Sequence, residues 1–471
     1  MNFVSSEYAL LLLVTLLASV ASRGRATTYV VLAASLVFYG WWNPIFLLLL
    51  LAVIVLSWAG ALVVGRWRSK SMLAAVVVGE LSLLLYFKYA TFIALNARAL
   101  AGLLHLPAPG DLPPVLLPAG ISFMTFQGVA YVIDVYRGHL TPVRSFVDVA
   151  LFKSFFPQLV AGPIERGPHL LPQLRALEGG FWNRASMARG TFMIMKGVFF
   201  KFVIADNMST VVNGVYGNVP GASAFDTALA VYAFTIQIYC DFYGYTMIAL
   251  GSASLFAVDL VNNFEHPYLA TSIQDFWRRW HISLSQWFRD YLYIPLGGNR
   301  VGLARHLFNL LLVMFAVGLW HGANWTFVVW GAMHGLALAL HVVWRRMAGL
   351  ARLPIPEPVA RGLGWVVTVH FVALAWIPFR SPDLQVPWVI AGKWMTWLMH
   401  PTMSPTSVYG LPFYLWLGVA FAAVEWLDAM VDLQSAYERL PGLAQASVLF
   451  GLCLATYLGP LKDVAFLYFQ F

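Results

Sequence analysis

The chain has 471 residues, of which 60% are hydrophobic and only 11% are charged, with a mean hydropathy of +0.73. Soluble domains carry about 25% charge, so this composition excludes an ordinary soluble fold and points to an all-α, polytopic membrane protein. The net charge of +8 is no sign of nucleic-acid binding, because Lys and Arg gather in cytoplasmic loops and that bias alone makes the total basic.

The first apolar run, Tyr8 to Ser22, has no Lys or Arg before it and has Arg23 and Arg25 after it. A secretory signal carries its charges in the reverse order, so the run reads as a retained span with its N-terminus outside. The loops then alternate. Trp41-Trp42-Asn43-Pro44 is uncharged, Arg66, Arg68 and Lys70 are basic, Leu106 to Pro118 is nearly neutral, and Arg137 and Arg144 are basic again. That alternation orients five spans over residues 1–145.

Phe152 to Pro163 is apolar but shorter than the ~20 residues needed to cross, and two prolines interrupt it. It is expected to be re-entrant or interfacial, with its irregular backbone sheltered by protein or water. Arg166, Arg175, Arg184 and Arg189 place 165–189 on the cytoplasmic side. Spans are expected near Gly190 to Val212 and Thr227 to Leu250, with Lys196 and Lys201 snorkelling to the interface. Asp241 is a carboxylate between aromatic rings; it lines a polar cavity or bonds a backbone donor, and the structural role is favoured. Cys240 and Cys453 lie in distant apolar runs, which argues against a disulfide framework or a cysteine metal site.

The segment Asp275 to Leu296 has a helical pattern. At about 100° per residue, Trp277, Trp280, His281, Leu284, Trp287, Phe288 and Tyr291 share one face. Arg278, Arg279, Ser285, Gln286, Arg289 and Asp290 share the other, as in a helix lying in a membrane interface. His281 is the exception, because an ionisable ring among aromatics needs a partner or a function. Arg278, Arg279, Arg289 and Arg300 would suit a phosphorylated ligand or lipid headgroups. His321 follows Trp320 in a second apolar run, with Gly318 and Gly322 allowing close approach. An imidazole there can serve as general base to a hydroxyl near neutral pH. His334, roughly 220° from His321 around a continuous helix, is expected to be structural. Glu425 and Asp428 are assigned to the interface. The apolar runs total 11 or 12 spans, and no Walker, G-x-S-x-G or H-E-x-x-H motif occurs.

Several segments together resemble the membrane-bound O-acyltransferase family, in its alginate O-acetylase-like branch. They are SLVFYGWW (35–42), FPQLVAGPIER (156–166), DFYGYTMIALG (241–251), NFEHPYLATSIQDFWRRWHISLSQWFRDYLYIPLGGNR (263–300), GLWHGANWTFVVWGAMHG (318–335) and FLYFQF (466–471). The resemblance implies one integral-membrane domain: N-terminal spans over 1–145, a catalytic core over about 146–346, and C-terminal spans over 347–471. It also implies a ring of tilted helices around a thin centre, in a bacterial inner membrane. His321 matches the family's catalytic histidine and His281 its second histidine. Arg278, Arg279, Arg289 and Trp280 are then expected at the donor entrance, with Asp241, Trp320 and Asn324 lining the cavity. The implied donor substrate is acetyl-CoA, with no resident cofactor and no metal. The implied partners are a periplasmic acetyltransferase or esterase-like protein and a polysaccharide export complex, with alginate, cellulose or peptidoglycan as possible acceptors. The D-alanyl transferase branch shares both histidines. A transporter or flippase for a lipid-linked sugar, with the histidines as proton relay, is the alternative of another class; a purely structural export subunit would need neither histidine.

Overall fold

The computed structural model describes all residues except 108, 111, 113–114, 161, 352–355, 403–410, 460–465 and 468–471, and the side chains of 349–351. Parts of the neutral Leu106–Pro118 loop and of the terminal FLYFQF segment therefore lie outside the described residues. Among the described residues every regular element is helical.

Among the described residues six helices are long and apolar enough to cross a membrane: Phe46–Trp67, Lys70–Leu103, Leu303–His321, Trp325–Ala348, Glu357–Arg380 and Leu411–Val431. Ser6–Ala21 and Gly442–Leu458 are shorter apolar helices. The other apolar runs take different forms. Gly190–Val212 falls within Arg184–Phe199, a π turn Phe200–Ala205 and Asp206–Tyr216, while Thr227–Leu250 sits inside the 31-residue helix Ala224–Ser254. Phe152–Pro163 is no span: the helix Phe146–Ser154 ends and residues 155–160 continue as buried non-helical backbone.

Contacts group the chain into two compact units, 1–194 with 245–261, and 195–244 with 262–471. The first has an aromatic core in which Tyr8 packs on Phe3, Phe38 and Phe156. The Tyr8 hydroxyl donates to Ser252 Oγ at 2.8 Å, as a buried phenol requires. Lys153, fully buried, donates to the Met124 carbonyl, and the Glu80 carboxylate accepts from the Ser57 hydroxyl. Both charged groups lie against Gly128, where an added Cβ would meet the Glu80 carboxylate and sit 2.6 Å from Lys153 Nζ.

In the second unit the helices Leu303–His321 and Trp325–Ala351 form a tight hairpin. A Cβ at Gly318 would strike the Phe327 carbonyl oxygen and one at Gly331 the Met314 carbonyl oxygen, so the small residues set how closely the backbones approach.

Lys196 and Lys201 do not snorkel. Lys196 Nζ bonds Asp428 Oδ2 at 2.6 Å, and Lys201 Nζ bonds Asp206 Oδ1 and Asp241 Oδ1 at 2.7 Å each. Glu425 and Asp428 are likewise buried rather than interfacial; Glu425 accepts from the Tyr239 hydroxyl at 3.1 Å and lies 3.1 Å from His266 Nδ1. Buried charges persist when paired. Apart from Asp206, five residues from Lys201, these partners are distant in sequence, which local hydropathy does not register.

Candidate active site

Ser272 starts the histidine segment by accepting from the Asp275 N–H at 3.1 Å, a side-chain N-cap. The helix Ile273–Arg279 then stops. The single amphipathic helix expected over 275–296 is broken: Trp280 is extended, His281 is left-handed with φ 43°, and a second helix runs Ile282–Phe288 into a π turn, Arg289–Tyr293. The cause is tertiary. The Ile282 N–H donates to the Asn263 carbonyl at 2.9 Å instead of continuing the helical ladder. The inward and outward faces survive the break, because all seven residues of the apolar face are buried while Arg278, Gln286 and Arg289 are exposed.

His321 ends the helix Leu303–His321 and is 4% exposed. At Gly322 the chain turns so tightly that a Cβ would enter the Phe327 ring. The His321 ring lies 5.0 Å from Trp320, 4.9 Å from Trp330 and 5.2 Å from Phe379, centroid to centroid. His281, fully buried, lies 4.8 Å from Phe242 and 5.8 Å from Trp320. The two imidazole centroids are 6.4 Å apart. Trp320 thus packs against both.

His334 lies nearer this cluster than the continuous-helix projection suggested. The turn after His321 puts it on a different helix, where it packs on Trp330 at 4.8 Å and accepts from Trp277 Nε1 at 3.2 Å. A ring nitrogen that accepts this bond is unprotonated, in keeping with a structural role.

A cavity of about 500 Å³ lies beside the histidine segment, lined in part by Arg278, Arg289, Trp277, Gln286, His306 and His341. Val317, one turn before His321, and Ile282, next to His281, are also in its wall; neither histidine is. Arg278 and Arg289 thus share one cavity. Arg279 does not reach it: its Nε donates to Asp275 Oδ1 at 3.0 Å and its Nη1 to the Glu265 carbonyl at 3.3 Å. Trp280 is packed inside, 5.6 Å from Phe276 and 5.0 Å from Trp376. Asp241 lies away from the cavity, accepting from Lys201 on one oxygen and from the Leu467 N–H at 2.8 Å on the other. Asn324 caps the following helix by accepting from the Thr326 N–H at 3.1 Å, and it donates to the Pro382 carbonyl at 3.0 Å. His306 and His341 carry no signal of their own in the sequence, standing near Arg305 and Arg345, where basic residues suggest only a solvated helix end. Phe242, Trp330 and Phe379 carried no signal beyond apolarity.

Residues 139–377 match the family profile described as MBOAT, membrane-bound O-acyltransferase family. A probable alginate O-acetylase AlgI of Azotobacter vinelandii is 38% identical over 333 residues, which is 70% of this chain and 64% of that protein. The peptidoglycan O-acetyltransferase of Helicobacter pylori is 36% identical over 333 residues, 66% of this chain and 62% of its own. A teichoic acid D-alanyltransferase of Streptococcus thermophilus is 28% identical over 291 residues, 56% of this chain and 68% of its own. The chain thus spans less than two thirds of the length of the first two relatives. The profile covers just over half of the chain and includes His281, His321, Phe242, Trp320 and Trp330; this protein belongs to the membrane-bound O-acyltransferase family.

Proposed function

We propose that the chain is an inner-membrane O-acetyltransferase acting between a cytoplasmic acetyl-CoA donor and an exported polysaccharide. His321 takes the proton of the acceptor hydroxyl as its oxygen attacks the thioester carbonyl. The C–S bond breaks, and the thiolate leaves and is reprotonated as the thiol. His281 orients or polarises the thioester. The observation that carries this reading is the pair of buried imidazoles, 6.4 Å apart across shared aromatic walls, beside a cavity with two guanidinium groups. A neutral imidazole can accept the proton of an attacking hydroxyl, and guanidinium groups suit phosphates. The names of the alginate and peptidoglycan relatives support a polymer hydroxyl as acceptor and acetyl as cargo. A periplasmic acetyltransferase or esterase-like protein, within an export complex, would complete delivery.

The test uses the purified protein and acetyl-CoA. Release of free CoA thiol above the uncatalysed rate is expected, because water substitutes for the acceptor. A lipid-linked-sugar flippase would release none, and no thiol release from folded protein would refute the reading.

Donor recognition has its own prediction. Arg278→Ala with Arg289→Ala should weaken acetyl-CoA binding by roughly tenfold or more, since hydrogen bonds to charged groups contribute about 1.5–3 kcal/mol. The loss should be larger at low salt, where screening is weak. Arg279→Ala should leave donor affinity unchanged because Arg279 does not line the cavity. Equal donor affinity in the double variant and the wild type would assign these arginines to lipid headgroups instead.

A further inference from the structure

His281 holds a conformation that L residues with bulky side chains rarely adopt, φ 43°. Such strain persists only where the surroundings over-determine it. The determining segment is 263–265. The Glu265 N–H donates to the Arg279 carbonyl at 3.0 Å, and the Ile282 N–H donates to the Asn263 carbonyl at 2.9 Å. The break is therefore bridged on both sides by one neighbouring strand of chain.

The side chain of Asn263 adds a further tie. His281 occupies the N-cap position of Ile282–Phe288 but its side chain makes no capping bond. Ser, Thr, Asp or Asn normally accepts there from the first-turn N–H groups. Asn263 does so from outside the helix: its Oδ1 accepts from the Ser283 N–H at 3.4 Å and from the Ser283 hydroxyl at 2.6 Å. Asn263 is fully buried and Ser283 is 3% exposed, so water does not compete for these bonds. A capping residue at position 281 would turn its side chain back onto the helix. With the cap supplied from elsewhere, the imidazole faces Phe242, Trp320 and His321.

We propose that Asn263 is a positioning residue that sets the direction of the His281 imidazole, acting through Ser283. The inference rests on the acyl-transfer reading above for its kinetic consequence, but not for its geometry. Asn263→Leu removes the acceptor and should lower kcat for acetyl transfer by about 10²-fold, the scale of an ångström misplacement, while the KM for acetyl-CoA stays within about twofold. Asn263→Asp keeps an oxygen at the same place and should recover most of kcat. Ser283→Ala removes the hydroxyl but not the N–H and should fall between them, which covers the case of an Asn263→Leu chain that does not fold. Independently of activity, the nitrogen NMR signals of the His281 ring should shift in Asn263→Leu and not in Asn263→Asp. Unmoved ring signals in the leucine variant, or kcat equal to wild type, would overturn the positioning role. A shifted ring in a protein whose wild type transfers no acetyl group would uphold the role and discard the acyl-transfer reading.

Discussion

His321→Ala should reduce acetyl transfer by about 10²–10⁴-fold, the usual contribution of a general base, in a protein that still inserts and folds. The ring ends a helix whose position is set by the Gly318 and Gly331 contacts, not by the imidazole, so the hairpin should survive its removal. His321→Gln is the sharper control. It retains a hydrogen-bonding side chain of similar reach but does not titrate near neutral pH, so it should be as inactive as alanine if the ring exchanges a proton with the acceptor. The measurement is acetyl transferred per folded molecule, with thermal unfolding in detergent as the check on folding. A glutamine variant with near wild-type turnover would reduce His321 to a wall of the site.

Lys201→Met should have the largest effect on stability. The ammonium lies between Asp206 and Asp241 at 2.7 Å from each, and its removal leaves two buried carboxylates facing one another. Breaking a buried pair from one side typically costs about 3–5 kcal/mol, a large part of an ordinary folding free energy. The variant should melt well below wild type or fail to accumulate. Adding Asp241→Asn should restore part of the loss, because the amide oxygen can still accept from the Leu467 N–H while one charge is gone. A Lys201→Met protein with an unchanged melting temperature would mean that the lysine contributes no net stability there.

How far the sequence could be read depended on how local each signal was. Helical class and membrane character follow from composition. The two histidines stood out because each is an ionisable ring in an apolar run, and the structure buries both. The partition of residues 277–291 into inner and outer faces also held, since burial follows side-chain chemistry. What failed needed a distant partner. The break at His281 depends on Asn263, whose hydrogen bonds replace those of a continuous helix. Arg278, Arg279 and Arg289 looked equivalent along the chain, yet only the first and last line the cavity, while Asp275 and the Glu265 carbonyl hold the middle one elsewhere. Lys196, Glu425 and Asp428 each resembled an interfacial charge until their partners were brought together. The structural role expected of His334 fits its bond from Trp277, but its angular placement failed because the angle runs along a helix that ends at His321.

The pairing of Lys196 with Asp428 has a bearing on biogenesis. The two residues are 232 positions apart, so at about 5–20 residues per second the lysine leaves the ribosome roughly 10–50 s before its carboxylate exists. During that interval the ammonium lacks the carboxylate that neutralises it in the folded protein. Tyr243, whose ring lies 5.5 Å from Lys196 Nζ, emerges long before Asp428 and offers an aromatic face to the ammonium. The Lys196–Asp428 pair can close only once the helix Leu411–Val431 has been made, so the last third of the chain completes the charge balance of the middle.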